Sequence, residues 1–126
     1  MKIEHTAVYV NDLERAKEFF IKYFNGQANS RYENKAKGFS SYFISFEDGS
    51  RLELMSKIGV RGVCPIRYLG FAHIAFSVGT KQKVIDLTSR LIDDGYDAVS
   101  EPRTTGDGYY ESCILDKEGN MIEITV

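Results

Sequence analysis

The 126 residues suffice for one domain with a substantial core, and 43% hydrophobic against 27% charged residues is the balance of an ordinary globular chain. A formal net charge of −2 excludes a basic nucleic-acid binder and gives no attraction to an anionic membrane surface. No apolar run approaches the ~20 residues that span a bilayer, so neither nucleic acid nor membrane is expected as a partner.

In chain order, residues 5–10 (H-T-A-V-Y-V) form the first expected strand. The opening M-K-I-E-H carries Glu4 and lacks an apolar core followed by small residues, so no signal peptide is expected. Ala16, Phe19, Phe20, Tyr23 and Phe24 then recur at helical spacing, which predicts a helix over 13–24 with Asn11 or Asp12 as its cap and Gly26 at its end. A weak strand near 27–31 precedes a hairpin, Tyr42–Phe46 and Arg51–Met55, closed by the turn E-D-G-S. Residues 57–70 hold Gly, Pro and little periodicity and read as a linker. A second strand follows at 73–78 (H-I-A-F-S-V). Next comes a helix capped by Thr80, carrying Val84, Ile85, Leu87, Thr88, Leu91 and Ile92 as a core stripe and stopped by Gly95. After a weak strand near 96–100, the Gly-rich segment 102–110 reads either as a loop over a binding site or as a plain hairpin connection. The chain closes on a hairpin, residues 112–115 and 121–126, turned by D-K-E-G-N.

The chain thus repeats one order, β-α-β-β-β, twice: module one spans about 1–56 and module two about 71–126. H-T-A-V-Y-V corresponds to H-I-A-F-S-V at an offset of 68, and G-S-R-L-E-L to G-N-M-I-E-I at an offset of 70. His5 and His73 are the only histidines, and they occupy equivalent places; so do Glu53 and Glu123. Strand side chains alternate between faces. Leu52 and Leu54 flank Glu53, Ile122 and Ile124 flank Glu123, and Ile74 begins the apolar set beside His73, so these three candidates lie opposite the apolar face. The first strand alternates less cleanly, with Ala7 and Tyr9 in phase with His5. A lone strand histidine is most often a hydrogen-bonded structural group, and a lone glutamate most often faces solvent. The four at equivalent positions are better explained by one divalent ion, because unpaired carboxylates near an apolar interior cost several kcal/mol. Two imidazoles and two carboxylates suit Ni, Zn, Mn, Co or Fe. The two cysteines, Cys64 and Cys113, lie in no ligand or redox spacing and read as free thiols of a cytoplasmic protein, Cys113 as a strand filler.

On these residues the chain resembles the glyoxalase/bleomycin-resistance/dioxygenase (vicinal oxygen chelate) superfamily over its whole length, and glyoxalase I most of all. The resemblance implies an α+β fold of two βαβββ modules forming a curved mixed sheet, within a single domain covering 1–126. It further implies a homodimer and one divalent metal ion per site, held by His5, Glu53, His73 and Glu123. The activity it implies is that of a lyase or isomerase acting through an enediolate on a small vicinal-oxygen substrate, such as a thiol hemithioacetal of methylglyoxal. Glu123 would be the base and Glu53 its counterpart. Tyr9 and Lys57 stand where glyoxalase I has an Arg and an Asn that hold glutathione, so the metal chemistry transfers better than the thiol. Arg51, Arg61 and Arg67 are candidates for an anionic substrate, with solvated surface charge as the plainer reading of each. The alternatives are a non-catalytic drug- or metabolite-sequestering protein, an extradiol dioxygenase, an epimerase and a thiol transferase. Dioxygenase and transferase relatives use three ligands rather than four, and sequestering relatives generally lack the ligands.

Overall fold

The computed structural model describes residues 3–62 and 69–126, so Cys64 and Arg67 lie outside the described residues. The chain divides into two compact units, Met1–Gly62 and Val63–Val126.

The first unit runs β1 (Thr6–Tyr9), α1 (Leu13–Phe24), β2 (Gln27–Ala28), β3 (Tyr32–Asn34), a single 3₁₀ turn (Lys35–Lys37), β4 (Phe39–Ser45) and β5 (Arg51–Lys57). Its sheet has the order β1-β5-β4-β2, with β3 also on β4; β1 lies parallel to β5, and the other pairs are antiparallel. Asp12 caps α1 by accepting from the Arg15 amide, as a short carboxylate at that position does. Leu13, Ala16, Phe19, Phe20 and Tyr23 are buried, meeting Ile44, Leu52 and Leu54 of the sheet, which are also buried. Each buried Leu, Ile or Phe side chain among them contributes roughly 1.5–3 kcal/mol. The weak strand expected over 27–31 is two short strands. At the break, Asn29 replaces the regular ladder: its amide donates to the Phe43 carbonyl and its side chain accepts from the Phe43 amide at 2.8 Å.

The second unit runs β6 (Ile74–Ser77), α2 (Lys81–Asp93), β7 (Ala98–Thr104), β8 (Tyr110–Leu115) and β9 (Met121–Thr125), with the sheet order β6-β9-β8-β7. Again the first strand is parallel to the last. Thr80 caps α2 by accepting from the Lys83 amide. Val84, Thr88 and Leu91, at i, i+4 and i+7, are its buried line. Ile85 and Ile92 are not core as expected; they sit one residue round the helix from that line and are 40% and 41% exposed. The segment 102–110 is largely strand: β7 extends through Pro102 to Thr104, leaving a turn in which the Thr105 amide donates to Tyr109 and that of Gly108 to Thr105. The plain hairpin reading therefore holds. Pro102 fits because β7 is the last strand in this sheet's order and its register with β8 shifts between Ser100 and Arg103. The final turn is organised by buried Asp116, whose carboxylate accepts from the amides of Glu118 and Asn120 and from the Asn120 side chain.

No helix among the described residues is long and apolar enough to cross a membrane.

Candidate functional site

The parallel pairing of first strand on last, made once in each unit, brings each histidine to its glutamate. In the first unit Ala7 pairs with Glu53, and in the second Ala75 pairs with Glu123. His5 and His73 each precede their strand by one residue and lie two residues from the paired alanine, on its face. An alanine beside each carboxylate leaves room for the imidazole to lean across. The resulting contacts are His5 Nε2 to Glu53 Oε2 at 3.8 Å and His73 Nε2 to Glu123 Oε2 at 3.4 Å. The Glu53 and Glu123 side chains are half-buried, at 17% and 18% exposed, each with the imidazole as a near neighbour of its carboxylate. Leu52, Leu54, Ile122 and Ile124 are buried on the opposite face. The alternation of β1 is regular too: Thr6 and Val8 are half-buried and Val10 buried, whereas His5, Ala7 and Tyr9 are exposed.

The surroundings of the two pairs differ. Around His5, Nδ1 lies 2.5 Å from Glu4 Oε2, and Arg51 donates to the other Glu4 oxygen. The Arg51 guanidinium sits 4.5 Å above the Phe43 ring, and His5 meets the same ring edge-on at 5.2 Å. The hydrogen bond from His5, and then that from Arg51, hold the Glu4 carboxyl below its ordinary range. Arg51 is thus engaged at home rather than extended toward a substrate. Arg61 is exposed, and so are Tyr9 and Lys57.

Beside Glu123 the partner on β8 is Cys113, where the first unit has Phe43 beside Glu53. Glu111 shares that face. Burial pushes its carboxyl up, and the nearby Glu123 carboxylate adds to this by charge and hydrogen bonding. Burial likewise raises the Cys113 thiol, helped by the carboxylates of Glu123 and Glu111. Sequence reading missed Glu4 and Glu111. Glu111 could have been found, since Ser112 and Ile114 point inward and so place 111 and 113 on the face of Glu123.

The donor chemistry of each pair fits a divalent ion. With metal–ligand bonds of ~2.1 Å, neighbouring ligand atoms lie ~3.0–3.4 Å apart; the His73–Glu123 pair, at 3.4 Å, stands at that spacing, and the His5–Glu53 pair, at 3.8 Å, is wider. Each unit would supply two donors in this way. Among the described residues no three His, Cys, Asp or Glu side chains gather as a metal-holding group.

The profile of the Glyoxalase/Bleomycin resistance protein/Dioxygenase superfamily matches residues 2–124. The chain belongs to this superfamily. No curated protein matches the sequence. Among solved structures, the glyoxylase/bleomycin resistance protein/dioxygenase domain from Frankia sp. EAN1pec is similar with a TM-score of 0.85 at 16% identity, covering 99% of this chain and 90% of that one. The trypanothione-dependent glyoxalase I of Leishmania major gives 0.80 at 20% identity, covering 99% and 86%. Glyoxalase I from Zea mays gives 0.79 at 21% identity, covering 98% of this chain; the match spans 44% of the maize chain, less than half its length. At these identities the likeness is one of fold. The superfamily includes many enzymes, and its fold agrees with the two mixed sheets described above.

Proposed function

We propose that this superfamily member is a metal-dependent lyase or isomerase of the glyoxalase I kind. It would act on a small molecule with two neighbouring oxygens, such as a thiol hemithioacetal of methylglyoxal. One observation carries the reading: two equivalent strand pairs each set an imidazole Nε2 within 3.8 Å of the carboxylate of a half-buried glutamate. His5, Glu53, His73 and Glu123 would together hold one divalent ion, drawn from Ni, Zn, Mn, Co or Fe. Bound there, the ion supplies Lewis-acid polarisation of the two substrate oxygens.

Glu123 then takes the proton from the carbon bearing the hydroxyl. The C–H electron pair would pass into the enediolate, the same carboxyl would return the proton to the neighbouring carbon, and the hydroxyl proton would pass to the oxygen on that carbon, so that the first carbon ends as the carbonyl. A carboxylate has two oxygens, so one can face the ion while the other carries the proton. Such placed-base transfer accounts for roughly 10²–10⁴-fold in rate. Glu53 is the counterpart on the other strand. Exposed Tyr9 and Lys57 lack the recognition that glutathione receives in glyoxalase I, so the screen for substrate covers hemithioacetals of several thiols.

The test is metal content of the purified protein by elemental analysis, beside the His5→Ala/His73→Ala double variant. About one ion per chain, lost in the variant, is expected. No metal in either, even after incubation with Ni²⁺ and Zn²⁺, overturns the enzyme reading and leaves a ligand-binding module. With an active substrate in hand, Glu123→Gln should lower kcat by at least 10²-fold, on the scale of a lost general base; full activity would remove Glu123 as the base.

A further inference from the structure

The two histidines are equivalent in the repeat but are not held alike. Glu4 has one oxygen 2.5 Å from His5 Nδ1 and the other bonded by Arg51, while Arg51 and the His5 ring both lie against Phe43. Three side chains, Glu4, Arg51 and Phe43, therefore form a small box on one side of the His5 ring. In the second unit the residue before His73 is Ala72, which offers no side-chain acceptor, and Met121 and Cys113 replace Arg51 and Phe43. Nothing equivalent to the box can form there.

An ionised carboxylate only accepts hydrogen bonds, so the Glu4 contact requires the proton on Nδ1 of His5. Its other nitrogen, Nε2, is 3.8 Å from Glu53, beyond hydrogen-bond reach, so Glu53 does not draw the proton to that side. The lone pair of Nε2 is thus left directed at the carboxylate side of the strand. For a neutral imidazole, the bond made by one nitrogen sets which nitrogen is free to bind a metal.

We infer that Glu4 is a positioning residue that locks His5 in the Nδ1–H tautomer and orients its Nε2 as a pre-formed ligand, a device His73 lacks. The ligand role of His5 rests on the function proposed above; the tautomer lock does not. The partner the lock serves is a divalent cation that prefers imidazole nitrogen.

Ring nitrogens can be read directly by long-range ¹H–¹⁵N correlation on metal-free, ¹⁵N-labelled protein at about pH 8, above the ordinary histidine range near ~6.5. With only two histidines there are two patterns, separated by a His73→Ala variant. His5 should show a protonated Nδ1 and an unprotonated Nε2. Glu4→Ala should move the proton toward Nε2, as in an unconstrained imidazole, whereas Glu4→Gln, which keeps an acceptor oxygen, should hold the original tautomer. Glu4 is exposed, so neither variant should disturb folding. Competition titration with Zn²⁺ alone should show affinity about 10–100-fold weaker in Glu4→Ala and largely restored in Glu4→Gln. An unchanged His5 pattern in Glu4→Ala overturns the lock. A changed pattern with unchanged Zn²⁺ affinity overturns its role in preparing a ligand. If wild type binds no metal while the tautomer shifts as described, the lock stands and the proposed function falls.

Discussion

At the scale of single residues, the structure gives different duties to side chains that look alike in the sequence. Gly26 stands at the end of α1 as expected, and the residue in the left-handed region is its neighbour Asn25, at φ 54°. Gly26 is needed for space: a Cβ there would lie 2.4 Å from Ile44 Cγ2. Asp116 is the clearest case of a buried charge. Burial pushes its carboxyl up, against hydrogen bonds from Asn120 and the Glu118 amide that favour the charged form. A carboxyl whose folded pKa exceeds its unfolded value binds more protons in the folded state between those two values. Its contribution to stability is therefore greatest below the unfolded pKa and declines as pH rises through the folded one. In Asp116→Asn that component disappears, so the wild-type minus variant stability difference should fall as pH is raised through this window. Urea unfolding across pH checks it, and a difference that rises with pH would contradict the assigned direction.

The two helices dock on their sheets by different means. Helix α1 uses aromatic packing, with the Phe19 ring against those of both Phe20 and Tyr23. Helix α2 adds a buried polar clasp: the Thr88 hydroxyl donates to the Val84 carbonyl at 2.6 Å and lies 2.6 Å from the Ser112 hydroxyl on β8. Thr88→Val keeps the shape but strands the Ser112 hydroxyl, which should cost about 1–3 kcal/mol. Adding Ser112→Ala removes the orphaned group and should recover part of the loss. Chemical denaturation of the two single variants and the double variant measures this coupling, and simple additivity would show that the hydroxyls do not act together.

At the scale of the whole molecule, the repeat makes two units of like topology whose histidine–glutamate faces differ. One is lined beside its glutamate by Phe43 and the other by Cys113 and Glu111. Glu123 thus has a thiol and a second carboxyl as neighbours on β8, which Glu53 lacks on β4. The homodimer implied by the family resemblance should appear in light scattering at micromolar concentration as twice the 14.3 kDa chain mass; the mass of a single chain would exclude it.

Much of this was legible in the sequence because it depends on short-range patterns. Helical spacing marked α1 and α2, Gly-containing turns marked both final hairpins, and the doubled order of His and Glu marked the candidate ligands. Period-2 alternation placed Glu53 and Glu123 opposite Leu52, Leu54, Ile122 and Ile124 without any coordinates. What the tertiary structure alone decided was long-range register. The pairing of β1 with β5 and of β6 with β9 joins residues more than 40 positions apart, and no local periodicity encodes it. That register sets His5 against Glu53 and His73 against Glu123. It also brings Arg51 across to Glu4, and so gives one of two equivalent histidines a hydrogen-bonded frame that the repeat itself did not foretell.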